Sequence, residues 1–226
     1  MRYITFLTIT LFFLLCVISS STQALTTDKA NKNKRWKLWK ENRNLHIEYR
    51  KIQQQNLIEI HASATVTSTL PAALLFLQDT SIIPYWLENA SKSEILIKLS
   101  EQENISKTTF NAFWPIKQRE MIIRSRYWQN NDLSVEVVIE DETKNYQQYA
   151  TSNTIPITII SAYWKINSAD NNTITIEHTI IANPNGSIPN WLANRIALNA
   201  MWQTLLNIEE QLPSSNYQQQ HLSTIK

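Results

Sequence analysis

Glycine is almost absent: Gly186 is the single copy in 226 residues. That scarcity rules out glycine-rich phosphate loops and the glycine-flanked nucleophile elbow, which both need several glycines at fixed spacing. Cysteine is equally rare. Cys16 is the lone thiol and sits in the N-terminal apolar run, so the rest of the chain has neither a disulfide nor thiolate chemistry. No His-Glu-x-x-His zinc motif occurs, and no cofactor or metal is expected. Nor does charge of one sign dominate. The 21 Lys and Arg residues face 19 Asp and Glu, a formal net charge of +2, which gives no electrostatic ground for nucleic-acid binding.

The N-terminus reads Met-Arg-Tyr, an apolar run from Ile4 to Ile18, then small polar residues up to Ala24. A basic start, a short apolar stretch and a small-residue end match a secretory signal peptide, with cleavage expected after Ala24. The alternative is an inner-membrane anchor through residues 4–18, although that run falls short of the roughly 20 residues a spanning helix needs. Lipid attachment at Cys16 is not adopted, because Leu14 and Leu15 precede it where small residues belong. Residues 25–35 read as a flexible leader and 213–226 as a loose, Gln-rich tail. Between them, 36–212 is long enough for one domain with a substantial core.

Trp36 and Trp39, three residues apart, suggest a short helix with both rings on one face. Leu45–Tyr49 and Ile58–Ala64 alternate and read as strands. Ser68-Thr-Leu-Pro begins a helix with a capping residue and an early proline, and Ile82–Glu88 is a shorter helical or turn segment around Trp86. Strands are then expected at 94–99, 105–113, 119–129, 133–140, 155–166 and 173–181. From Trp191 the period changes: Leu198, Met201, Leu205, Ile208 and Leu212 recur at steps of three and four, the stripe of a helix about 20 residues long. Pro213 ends it. This order fits an α+β domain in which a curved antiparallel sheet grips the terminal helix.

Gly186 stands between the last strand and that helix. Asn185-Gly186 supports the positive φ angles of a tight turn, and Pro189 can open a helix without losing a hydrogen bond. The surrounding Asn183-Pro-Asn-Gly-Ser-Ile-Pro-Asn-Trp-Leu-Ala-Asn194 resembles the Asp-Pro-Gly-Gly-x-Ile-Pro-x-Trp-Leu-x-Asn signature of bacterial START (steroidogenic acute regulatory protein-related lipid transfer) domains. Thr204-Leu205, Trp114-Pro-Ile-Lys-Gln-Arg-Glu120, Trp36 to Arg50 and Ile83-Pro-Tyr-Trp86 are similar to further segments of that family, in the same order. Asn183, Asn185 and Glu120 depart from its usual Asp, Gly and Asp, and its proline before Thr-Leu is missing.

The resemblance implies a helix-grip fold enclosing a tunnel for one lipid or sterol-like molecule, in a secreted or periplasmic monomer that touches membranes transiently. It also implies that Arg119 lies in the tunnel, often paired with an acid. Alternation supplies walls independently: with Arg119 inward, Met121, Ile123, Ser125 and Tyr127 share its face, while Arg124 and Arg126 point outside. A buried guanidinium needs a partner, whether a carboxylate, water or a ligand group. His178, between Ile176 and Ile180, is either a satisfied core residue or a ligand contact; Trp191 and Trp202 either pack the helix or line the tunnel, and Tyr163 or Trp164 faces in. With Leu198 and Met201 these complete the candidate ligand-binding set. Two other readings stand beside the carrier: a helix-grip enzyme, cyclase-like or hydrolase-like, acting on a small hydrophobic substrate, and a fully packed scaffold without a ligand.

Overall fold

A computed structural model describes residues 35–226 except 54, 55, 114, 115, 171, 221, 223, 224 and 226. The expected signal peptide, all but the last residue of the expected leader, and Trp114-Pro115 of the Trp-Pro motif lie outside the described residues. Ten strands form one sheet among those described: β1 (Lys37–Glu41), β2 (Leu45–Lys51), β3 (Ile58–Thr67), β4 (Ala90–Lys98), β5 (Glu103–Phe110), β6 (Arg119–Gln129), β7 (Val135–Asp141), β8 (Ile155–Pro156), β9 (Thr158–Asp170) and β10 (Thr173–Asn183). Their order is β1-β2-β3-β10-β9-β7-β6-β5-β4, antiparallel throughout except for the short β8, which runs parallel to β6. Three helices accompany it: α1 (Leu70–Gln78), α2 (Ile83–Trp86) and α3 (Asn190–Gln211).

The α1 helix starts one residue later than Ser68 suggests, because Thr69 is the cap: its hydroxyl accepts the Ala72 N–H at 3.3 Å, satisfying one otherwise orphaned donor. Expected strand 155–166 divides in two. Its first residues pair with β6 as β8, and the remainder runs on as β9 to Asp170.

Two expectations fail. Trp36 to Asn42 is not a helix: the chain from Lys37 is strand β1, paired antiparallel with β2 across a turn in which Asn42 Oδ1 accepts the N–H groups of Asn44 and Leu45 at 2.9 and 2.7 Å. In a strand the two rings are set apart. Trp39 packs against the main core, whereas Trp36 meets His61 with ring centroids 5.9 Å apart and lies under the Arg50 guanidinium. The first part of the tail, residues 214–220, is not loose either. Asn216–Gln219 forms a 3-10 turn from which the Tyr217 hydroxyl donates to Asp79, its ring meets Phe76 edge-on, and Gln218 Nε2 donates to Leu212 O at 2.7 Å. Burial, joined by the Asp79 contact, pushes the Tyr217 phenol up to about 12.

The core and the hollow lie against adjacent stripes of α3, the core mainly toward its C-terminal half. Leu205, Ile208 and Leu212 are fully buried in one cluster with Ile166, Ile176, Leu45, Ile47 and Phe76. This half is also fastened to α2: Thr204 Oγ1 accepts from Glu88 N at 3.1 Å, and Asn207 Nδ2 donates to Trp86 O at 3.1 Å. The N-terminal half of α3 lies over the rest of the sheet, where the space beneath is not filled.

Candidate functional site: a cavity between helix and sheet

A cavity of about 340 Å³ lies between α3 and the sheet, within the size range of small-molecule sites. Register shows how it is built. Arg119, Met121, Ile123 and Ser125 of β6 share one face and all line it, as alternation requires. Ile139, Ala162 and Ile180 continue the row of Ser125 across β7, β9 and β10. The helix contributes Ala193, Ala197, Ala200, Met201 and Thr204. Three alanines at steps of four and three put the smallest side chains of α3 over the hollow, which is why the space stays open.

The strand-to-helix corner closes the outer end. Asn185 and Gly186 have φ of 51° and 71°, and a Cβ on Gly186 would stand 3.0 Å from Ile155 Cδ1. Both backbone angle and space therefore demand the one glycine. Asn185 Nδ2 donates to Pro156 O and Thr158 Oγ1 at 2.8 and 2.9 Å, tying the corner to the start of β9.

Arg119, 6% exposed, reaches the same corner. Its Nε donates to Pro184 O at 3.1 Å, Nη1 to Lys117 O at 2.7 Å and Nη2 to Asn185 O at 3.4 Å. An acid partner is absent among the described residues: neighbouring Glu120 points to the other face, where both its oxygens accept the Thr151 N–H at 3.0 and 3.1 Å. Backbone carbonyls thus solvate the guanidinium, and burial lowers its pKa from the usual arginine value.

At the inner end His178 and Trp164 stack with centroids 3.9 Å apart and planes within 13°. His178 Nδ1 lies 2.9 Å from the Tyr163 carbonyl. Burial holds its pKa down at about 4, against the opposing effect of that hydrogen bond, so the ring is neutral at ordinary pH. Of the pair left open by sequence, Trp164 faces in at 7% exposed and Tyr163 faces out.

Six of the ten expected site residues meet in this cavity: Arg119, Met121, Ile123, Ser125, His178 and Met201. Four do not. Trp191 is 69% exposed on the outside of α3; Leu198 and Tyr127 are buried in the packed core; Trp202 packs beside that core under Lys40 Nζ, 4.2 Å from its ring centroid. Leu198, Tyr127 and Trp202 are taken up by packing contacts of the core, and Trp191 lies on the solvent side of the helix. Sequence reasoning missed the β5 wall of Asn104, Ser106, Thr108 and Phe110. Its alternation was visible, but its polar character gave no reason to point it inward. Likewise Arg124, expected outside, is partly covered and pairs with Glu103 and Glu142 at 3.5 and 3.0 Å.

A curved antiparallel sheet gripping a C-terminal helix around an apolar hollow defines the helix-grip fold. No protein-family model matches the chain, and no match was found among curated proteins. Solved structures do match. The STAR-related lipid transfer protein of Xanthomonas axonopodis is 22% identical with a TM-score of 0.67, covering 78% of this chain and 98% of that one. Human StAR-related lipid transfer protein 5 is 12% identical with a TM-score of 0.72, covering 85% and 95%. The lipid transfer and protein localization domain of human StarD13 is 15% identical with a TM-score of 0.67, covering 84% and 96%. The chain has the START fold.

Proposed function

We propose that this protein binds one hydrophobic lipid molecule in the cavity and carries it between membranes without chemical conversion. The observation that carries this reading is the largely apolar space left by Ala193, Ala197 and Ala200 over the isoleucine-rich wall of β6, β9 and β10. Burying a methylene contributes about 0.8 kcal/mol, so an acyl chain of about sixteen carbons gains on the order of 12 kcal/mol gross, before the ordering costs of binding. The lipid transfer function named for the neighbouring structures agrees with this chemistry. A catalytic reading is less well supported, since His178 gives its Nδ1 proton to a backbone carbonyl rather than to an orienting carboxylate.

The signal-like N-terminus supports a location in the periplasm or outside the cell. Release requires the roof to open. The unfilled space beneath the N-terminal part of α3, ahead of the contacts that Thr204 and Asn207 make, points to residues 191–203 as the moving part. Native mass spectrometry and organic extraction of the purified protein test occupancy, and transfer of a labelled lipid between vesicles tests carriage. Lipid-free protein that takes up no labelled lipid would end the proposal; hydrogen exchange in 191–203 as slow as in the sheet, with transfer intact, would end the gating part alone.

A further inference from the structure

His178 stands in the last row of the sheet to reach the hollow. Tyr127, Val137, Trp164, His178 and Ala62 lie side by side across β6, β7, β9, β10 and β3. One row further in, Ile166 and Ile176 are fully buried. A carbonyl can only accept, so the contact with Tyr163 O puts the imidazole proton on Nδ1 and leaves a lone pair on Nε2. The ring is 5% exposed and lines the cavity, its plane fixed by Trp164. No hydrogen bond reaches Nε2 among the described residues. The indole nitrogen of Trp86, another lining residue, is buried and also lacks a partner among them.

The polar groups that β5 and β6 bring nearest are neutral, and the one acid among the described lining residues, Glu88, lies on the segment between α2 and β4. Ser125 and Asn104 face each other one row outward, and Ser106, 5% exposed, follows on β5. The nearest fixed cation of the wall, Arg119, is six residues along β6 from Ser125, about 20 Å of extended strand. Its N–H groups hold the corner carbonyls. A carboxylate or phosphate at the inner end would meet a lone pair and no countercharge.

We propose that the ligand enters with its polar end innermost and donates a hydroxyl or amide hydrogen to Nε2 of His178. The cavity thereby selects a neutral, donor-bearing amphiphile over an anionic lipid. This rests on the carrier reading, and the experiment separates the two. Binding of hexadecanol, hexadecyl methyl ether and hexadecanoate to the purified chain is measured at pH 7.5. The alcohol should bind about tenfold tighter than either of the others, the worth of one buried hydrogen bond, and the preference should fall below about threefold in His178→Phe. In the unmodified chain the pyridine-like ¹⁵N signal of His178 should move on adding the alcohol and stay fixed on adding the ether. That readout stands whether or not the variant folds. Equal affinity for alcohol and ether, tighter binding of the acid, or an unmoved ¹⁵N signal in the alcohol complex would overturn the inference and leave the cavity reading intact. Failure of all three probes to bind would instead overturn the carrier reading.

Discussion

Acidification should destabilise this protein in a window set by His178. The folded ring stays neutral down to about pH 4 because burial disfavours its charged form, whereas an unfolded histidine takes up a proton near pH 6.5. Between those values the unfolded state holds more protons, so stability is full above about pH 6.5 and is lost as pH falls toward 4. A difference of about 2.5 pKa units is worth about 3 kcal/mol at 1.36 kcal/mol per unit, of which about 2.5 kcal/mol is gone by pH 4.5. Carboxylates held below their usual range, such as Asp79, act at lower pH. There, burial alone would raise the Asp79 pKa, but hydrogen bonds from Ser81 and Tyr217 outweigh it. Urea unfolding followed by tryptophan fluorescence at pH 7.5, 6.5, 5.5 and 4.5 gives the curve, with His178→Gln as the non-titrating control. The reasoning is refuted if the wild type loses less than about 0.5 kcal/mol over that range, or if the variant shows the same slope.

Gly186→Ala places a side chain at φ 71° and 3.0 Å from Ile155 Cδ1, so it should cost about 1–2 kcal/mol in chemical denaturation; an unchanged midpoint would contradict the turn argument. Leu205→Ala, at a fully buried position, should lose about 3–5 kcal/mol, while Trp191→Ala on the exposed side should stay within about 0.5 kcal/mol. Comparable losses for the two would mean α3 is oriented wrongly. Ala197→Phe fills the hollow and should abolish uptake of a labelled lipid with circular dichroism unchanged; uptake at the wild-type rate would place the ligand elsewhere.

The local pattern of the chain determined most of the framework. Period-two alternation located the strands and set the inward parity of Arg119, Met121, Ile123 and Ser125, because a half-buried strand must alternate. Asn185-Gly186 located the corner, because φ above zero strongly favours such residues. Where alternation depends on what a distant segment covers, it misled. The outer face of β6 looked solvent-exposed, yet Glu120 and Ile122 are buried there, and residues 142–151 supply Glu142 N to Ile122 O and Thr151 N to Glu120.

The hollow itself was decided only by tertiary structure. Hydrophobic periodicity reports the side chains that fill space, so it picked out Leu198 and Leu205, which belong to the packed core. The roof is the adjacent stripe of Ala193, Ala197 and Ala200, small residues with little signal of their own. They mark a site because β5, β6, β9 and β10, far apart in sequence, curve beneath them and leave volume that no side chain reaches. A sequence can specify what makes contact through local rules, but an unfilled volume is a property of several elements at once, and so it is fixed only when they come together.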